Sequence, residues 1–156
     1  MFIRPSTIQD TTAISEMARA CYGTLLSSHY AAETIKVALP HMAHVPEGLA
    51  KCGTYFVAVE DEVIVGACGW TDGPQGAEVR KLAVHPDHLR KGIARRLLGH
   101  VHSSANAAGH ERIRTSASLN AVPFYAALGY TQTGRIEIDT GLAGTSFDAA
   151  TMVRDL

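Results

Sequence analysis

The spacing of apolar residues changes along the chain, and each change predicts a different secondary structure. Residues 2–4 predict a short strand. Thr7 and Asp10 then place a hydroxyl and a carboxylate three residues apart, which is typical of a helix start. Apolar residues follow at helical spacing: Ile14, Met17, Ala18 and Cys21. Residues 31–50 are helical in composition, but Pro40 and Pro46 predict breaks and two short helices, because proline lacks an amide hydrogen and clashes with the preceding turn.

From residue 54 the period becomes that of strands. Residues 55–59 and 63–68 are apolar throughout and are separated by Asp61 and Glu62, which predicts a hairpin buried on both faces. The turn lacks the glycine that a tight turn prefers, so we expect a longer loop or backbone strain there.

The second half of the chain alternates between strands and helices. Residues 77–84 predict a strand stopped by Pro86, and residues 92–108 carry the apolar stripe of a long helix. A strand at 111–115 precedes a short helix from Asn120, with Pro123 in its first turn and Gly129 as its stop. Two strands at 130–139 and 146–154 flank a glycine-rich turn at 141–144. The order βααβββαβαββ predicts an α/β (α+β) fold, a mixed sheet with helices on both faces.

Composition narrows the class of protein. The 156 residues fit one domain, residues 1–156, and 46% of them are apolar, enough for a folded core. A formal net charge of −1 gives no support to a nucleic-acid partner. No apolar run approaches the length of a membrane span, and no export signal is visible at the start, so we expect a cytoplasmic protein with no membrane partner.

Metal-binding spacing is missing from the sequence. Cys21, Cys52 and Cys68 form no C-x-x-C pair, so we expect plain, mostly buried thiols. The histidine pairs His41/His44 and His100/His102 have no carboxylate or cysteine at zinc spacing. The sequence therefore predicts no metal.

The segment entering the long helix carries the first chemical signal. A helix N-terminus binds anions through free amides and its dipole, provided that small residues allow close approach. Gly92 and Ala94 permit that approach, and Arg90 and Lys91 add positive charge. These residues fit a phosphate-binding loop or an ordinary glycine-containing connection equally well.

A second block behind the first decides between these readings. The motifs are V-H-P-D-H-x-x-K-G-I-A at 84–94 and N-x-x-x-F-Y-x-x-L-G-Y at 120–130. These two motifs resemble those of the GNAT superfamily of acyl-CoA-dependent N-acetyltransferases. The resemblance extends over nearly the whole chain through three weaker matches: the opening I-R-P, the V-G pair at 65–66 and the closing M-x-R-x-L. One position departs: Leu89 stands where the family's phosphate loop has Gln or Arg. Most contacts in such loops come from backbone amides, so we expect binding to survive.

The resemblance implies a fold and a cofactor site. It implies a mostly antiparallel sheet of about seven strands with about four helices, splayed between strands 4 and 5 by a bulge in strand 4. It also implies that acetyl-CoA is the co-substrate. Its pantetheine arm would pair with the backbone of Leu82, Ala83 and Val84. Its pyrophosphate would bind backbone amides of the segment that enters the long helix: Leu89, Arg90, Lys91, Gly92, Ile93, Ala94 and Arg95.

The same resemblance places two side chains of the second block at the cofactor. Asn120 would contact it, although Asn120 could also be a helix N-cap. Tyr125 would face the sulfur and, as a general acid, give the leaving thiolate a proton. The alternative for Tyr125 is a core aromatic packed beside Phe124.

A base must also deprotonate the attacking amine. Glu78 is the best candidate, since the family often places a carboxylate near there; alternatively it is a solvated strand residue paired with Arg80 or Lys81. His85 has a suitable ordinary pKa but reads more naturally as a turn residue.

The acceptor is less defined than the donor. Tyr22, His29, Tyr30 and Trp70 are candidates for its pocket, although packing explains each of them better than recognition does. We expect an N-acetyltransferase that transfers an acetyl group directly to a primary amine of a small molecule or peptide, as a possible homodimer. The alternatives are a non-catalytic acyl-CoA sensor and a plain interaction domain.

Overall fold

The described residues, 1–139 and 146–156 of a computed structural model, form a seven-stranded sheet with helices on both faces. The predicted turn at 141–144 lies outside them. The strand order is β1-β2-β3-β4-β5-β7-β6. All neighbouring pairs are antiparallel except β4 and β5, which are parallel. The mixed sheet predicted from the order of elements is confirmed.

The element bounds follow the predicted segments closely. The strands are β1 (Phe2–Pro5), β2 (Tyr55–Glu60), β3 (Val63–Gly73), β4 (Gly76–Val84), β5 (Arg112–Ser118), β6 (Thr131–Asp139) and β7 (Ser146–Asp155). The α-helices are α1 (Thr11–Leu25), α2 (Ala32–Ala43), α3 (Glu47–Ala50), α4 (Ile93–Ala107) and α5 (Val122–Ala127). No helix of the described residues is long and apolar enough to cross a bilayer.

The sheet buries an apolar core on each face. On one face, the stripe of α4 packs against β3 and β4 through Leu97, Leu98 and Val101, with Tyr125 of α5 in the same cluster. On the other, α1 packs through Ile14 and other predicted stripe residues. Because both faces of β2 and β3 are covered, these strands read as continuous apolar runs.

Two local expectations, on Pro40 and on Cys52, need correction. Pro40 lies inside α2 and does not end it, whereas Pro46 does separate α2 from α3. Cys52 is exposed, although Cys21 and Cys68 are buried.

The first turns of the chain and of the central hairpin behave as their residues predict. The backbone amide of Thr7 donates to the Asp10 carboxylate at 2.8 Å, and Arg4 holds the same carboxylate in an ion pair.

The hairpin keeps its two-residue turn with Asp61 at φ 49° and Glu62 at φ 65°. Of the two alternatives, the turn is therefore strained rather than longer.

A partly buried polar network ties α4 to the C-terminal strand. Arg154 lies 2.6 Å from Nδ1 of His102, and the Tyr130 hydroxyl lies 2.7 Å from Nε2. Because a guanidinium only donates, Nδ1 must accept, so the ring is neutral and Nε2 donates to Tyr130. Burial, and then Arg154, lower the pKa of His102 to about 4. The Tyr130 ring packs edge-on against Tyr125 at 5.1 Å, so the network supports one wall of the site described below.

This network predicts a specific acid sensitivity. His102 keeps its ordinary pKa of 6.5 when unfolded and about 4 when folded. The unfolded chain therefore binds about one extra proton between these values, and stability is lost as the pH falls through this window. We expect His102→Gln, which keeps one acceptor and one donor, to flatten the dependence of unfolding free energy on pH between 6.5 and 4.

Urea unfolding at a series of pH values measures this effect. His100→Gln, on the exposed side of the same helix, is the matched control and should keep the wild-type slope. An unchanged slope in His102→Gln would contradict the assignment.

Candidate active site

The parallel pair β4–β5 is joined over only a short length, and a cleft opens beyond it. The strands pair at Ala77–Ile113 and Glu78–Arg114 only. Past these residues the strands separate around a cavity of about 260 Å³. Its lining includes residues of α2, the second half of β4, the end of β5, and Tyr125. Two strand edges therefore face a cavity that an extended ligand could enter.

A bulge in β4 accounts for the opening. Between the partners Ala67–Ala83 and Gly69–Arg80, β4 has one more residue than β3. The backbone of Lys81 has φ 45°, a left-handed conformation that is uncommon for a residue with a side chain. The bulge implied by the family resemblance is thus present at this position.

Side chains from three elements hold this strained segment in place. The Tyr22 hydroxyl donates to the Leu82 carbonyl at 2.8 Å, and the Tyr55 hydroxyl donates to the Lys81 carbonyl at 3.0 Å. The Lys81 ammonium donates to the carbonyls of Met42 and His41 at the end of α2, at 3.1 and 3.4 Å. Burial and the nearby Arg80 lower the pKa of Lys81. The bulge is therefore tied to α1, β2 and α2 together.

Tyr125 forms part of the cavity wall from the α4 side of the sheet. Its side chain is 4% exposed and packs edge-on against Phe124 and Tyr130. Burial raises its pKa well above the ordinary value, and the neighbouring Thr115 side chain opposes this only in part. The phenol therefore keeps its proton at neutral pH while lining the cavity.

The loop before α4 has the features of an anion-binding site. Gly92 precedes the helix with φ 75°, and Arg90 has φ 62°, so both residues adopt left-handed backbone conformations. The first turn of α4 contains no acidic residue, and Arg90, Lys91, Arg95 and Arg96 surround it. A Cβ at Gly92 would meet nothing within 4 Å, so the loop is open. Leu89, at the position that departs from the family, is exposed.

Asn120 precedes Ala121, which lines the cleft, and its side-chain oxygen has no hydrogen-bond partner among the described residues. It sits in a 3-10 turn at Leu119–Ala121, and α5 begins at Val122 without a side-chain cap. The reading of Asn120 as an N-cap is therefore wrong. Its Oδ1 atom is buried with no partner among the described residues. Such an orphaned atom fits a residue whose partner is a ligand.

A second, polar cavity of about 510 Å³ adjoins the first. The two share Val79, Arg80, Thr115 and Ser116. Glu78 is the one carboxylate among the described residues that line either cavity. It is half-buried, and its carboxyl group lies against Gly73.

The other three candidates for the acceptor pocket do not line the cleft. Trp70 packs beneath α4 and donates to Ser104 at 2.9 Å. The Tyr30 hydroxyl donates to the Asp148 carbonyl, accepts from the Leu119 amide, and its ring stacks on Phe147. His29 is exposed beside Ser28. These contacts explain Trp70 and Tyr30 as packing residues. Of the four candidates for the acceptor pocket, only Tyr22 lines the cleft.

His85 occupies the turn position expected from its neighbours. Its Nδ1 atom accepts the Asp87 amide at 3.1 Å, and it begins the short 3-10 turn Pro86–His88. Among the described residues, no cluster of three or more His, Cys, Asp or Glu could hold a metal ion.

Sequence reasoning missed several residues of the cleft. The cleft brings together α2 and the strands β4 and β5, which contribute His41, Met42, Lys81, Thr115 and Ser116. Only Lys81 has a local signal, as a residue of the strand implied to carry a bulge. The others depend on tertiary packing that periodicity does not encode.

Comparison with known proteins places this geometry in a family. The model of the acetyltransferase (GNAT) domain matches residues 27–149, well over half of the chain. The chain therefore belongs to the GNAT acetyltransferase family, and the resemblance inferred from the two motifs is confirmed. A comparison with curated protein sequences finds no match.

Solved structures share the fold at low identity. A GCN5-related N-acetyltransferase from Rhodopseudomonas palustris has 24% identity and a TM-score of 0.86, covering 99% of this chain and 95% of that one. The PaiA N-acetyltransferase of Thermoplasma acidophilum, in complex with coenzyme A, has 19% identity and a TM-score of 0.77, covering 99% and 98%. The yncA protein of Salmonella typhimurium, with its cofactor acetyl-CoA, has 22% identity and a TM-score of 0.68, covering 100% and 94%. These likenesses confirm the GNAT fold.

The contact between Tyr22 and the bulge gives a stability prediction. Tyr22→Phe leaves the Leu82 carbonyl without this donor, and a lost hydrogen bond at a partly buried group costs about 1 to 2 kcal/mol. We expect that decrease in the unfolding free energy from urea denaturation, with an unchanged dependence on urea concentration. A variant as stable as the wild type would show that this bond does not hold the bulge.

Proposed function

We propose that the chain is an N-acetyltransferase that transfers an acetyl group from acetyl-CoA to a primary amine within a ternary complex. The observation that carries this proposal is the cleft between β4 and β5, which ends at a buried, protonated phenol. Three further features would complete the donor site: the open edge of β4, the loop before α4 and the orphaned Oδ1 of Asn120.

The residues around the cleft fit the chemical parts of the donor. Amides from Leu89 to Arg95 and the dipole of α4 would hold the pyrophosphate, with Arg90 and Lys91 adding charge. The backbone of Leu82, Ala83 and Val84, on the edge of β4 released from β5, would pair with the amides of the pantetheine arm. The Leu82 carbonyl already accepts from Tyr22, but a carbonyl oxygen has two lone pairs. Asn120 would contact the arm through its unpartnered amide oxygen.

The transfer itself forms one bond and breaks one. The neutral amine attacks the thioester carbonyl carbon, a C–N bond forms, and the C–S bond breaks. The departing thiolate takes the proton of the Tyr125 phenol, which burial keeps in place at neutral pH. A positioned acid of this kind contributes about 10²- to 10⁴-fold.

The amine must also lose a proton, and Glu78 is our candidate for that step. It is the one carboxylate among the described lining residues of the two connected cavities, which supports the hypothesis. Because it lines the polar cavity and not the one that reaches Tyr125, it would act through an intervening water.

Release of free thiol from acetyl-CoA in the presence of a panel of amines tests the activity. Turnover with any amine supports the transferase. Coenzyme binding without turnover would favour an acyl-CoA sensor, and no binding at millimolar acetyl-CoA would contradict both.

The loop before α4 gives a prediction on donor binding. Gly92→Ala places a Cβ where the diphosphate would approach the amides, and we expect acetyl-CoA affinity to fall by about tenfold or more, the loss of one charge-assisted hydrogen bond. Gly109→Ala is the matched control at the other end of α4, where the glycine also has a positive φ and open space. Each variant should lose about 1 kcal/mol of stability from left-handed strain.

Calorimetric titration of acetyl-CoA separates the two variants. Equal affinities for Gly92→Ala and Gly109→Ala would contradict a phosphate site at this loop.

The phenol gives a prediction on catalysis. Tyr125→Phe removes the proton donor but keeps the ring packing, so we expect kcat to fall by about 10²-fold or more with little change in acetyl-CoA affinity. The measurements are steady-state thiol release at saturating substrates, acetyl-CoA titration and thermal unfolding. Full turnover in a stably folded Tyr125→Phe would remove Tyr125 from the acid role.

A further inference from the structure

The polar cavity beside the cleft has a charge pattern that the donor does not use. Its lining combines Arg80, Arg114, Glu78 and hydroxyl side chains of β5, β6 and β7. The proposed donor contacts lie elsewhere, at the loop before α4 and the edge of β4. A cavity of about 510 Å³ has the size of a small-molecule site. It adjoins the cavity of Tyr125 and is therefore placed to receive the acceptor.

Arg114 lines this cavity, and one nitrogen of its guanidinium group lacks a hydrogen-bond partner among the described residues. It is the β5 neighbour of Glu78 in the last parallel pair before the strands separate. Its Nε atom is buried and has no hydrogen-bond partner among the described residues. A guanidinium cannot lose its proton in a protein, so an unpartnered N–H on it is costly unless an acceptor arrives.

Arg80 adds a second cation at the junction of the two cavities. Within the described part of the chain, no ion pair joins Arg80 or Arg114 to a carboxylate. Glu78 lies against Gly73 instead. The two guanidinium groups against one carboxylate leave the lining positive, which disfavours a polycationic acceptor.

We propose that the acceptor is a small amine that also carries an oxyanion, a carboxylate or a phosphate, held by the guanidinium groups of Arg80 and Arg114. This inference rests on the proposed transferase function. The oxyanion would satisfy the orphaned Nε of Arg114 and orient the amine toward the thioester, since guanidinium groups bind such anions through paired hydrogen bonds.

Matched pairs of acceptors test the substrate class. Tyrosine against tyramine probes the carboxylate, and phosphoethanolamine against ethanolamine probes the phosphate. We expect kcat/KM for the anionic member of at least one pair to exceed that of its partner by about tenfold or more, the value of one charged hydrogen bond. The pair that shows the difference identifies the anion.

Arginine variants then locate the effect. Arg114→Gln and Arg80→Gln should each raise KM for the anionic acceptor by about tenfold or more, with acetyl-CoA affinity retained and the neutral partner little affected. Arg114→Lys, which keeps the charge, should recover part of the loss. Arg112→Gln is the matched control, because Arg112 lies on the same strand but is exposed and paired with Asp155 outside the cavity.

The outcomes separate this inference from the proposed function. Turnover that favours tyramine and ethanolamine, or an anion preference unchanged in both Arg114→Gln and Arg80→Gln, would overturn the inference and leave the transferase standing. If no amine in the panel is acetylated, both fail. If Arg114→Gln does not fold, Arg80→Gln and Arg114→Lys decide the question.

Discussion

The cleft depends on one extra residue in β4. Lys81 adopts a left-handed conformation and breaks the register with β3, and β4 separates from β5 after only two paired residues. Such a conformation costs free energy of roughly 1 to 3 kcal/mol and persists only where surrounding contacts fix it. Two phenols and the end of α2 supply those contacts. Without this bulge the two strands would continue to pair and the cavity would close.

The cleft also joins the two faces of the sheet. Tyr125 reaches it from the side covered by α4 and α5, and Tyr22 reaches it from the side covered by α1 and α2. A donor entering from the loop before α4 and an acceptor entering from the polar cavity would therefore meet between the strands. The partly buried network of His102, Arg154 and Tyr130 contacts Tyr125 through the Tyr130 ring and so connects the end of β7 to the cleft.

Much of the fold could be predicted because its signals are local. The apolar stripe of α4, the continuous runs of β2 and β3, and the glycine at the start of α4 all follow from periodicity and backbone preference. Such rules fail at Pro40. The low helix propensity of proline predicts a break there, but α2 continues through Pro40 and packs against α1. The proposed donor side could be named from the sequence for the same reason, since its residues lie in two contiguous motifs. The proposed acceptor side could not be named in this way, because Arg80 on β4 and Arg114 on β5 line one cavity only after these distant strands have come together.

The central claim is that the gap between β4 and β5 holds a thioester beside Tyr125. A crystal structure of the complex with acetyl-CoA tests it most directly. We expect the pantetheine arm along residues 82–84, the diphosphate at the first turn of α4, and the sulfur within hydrogen-bonding distance of the Tyr125 oxygen. A coenzyme bound elsewhere, or a Tyr125 hydroxyl turned into the core with the gap filled by protein side chains, would contradict it.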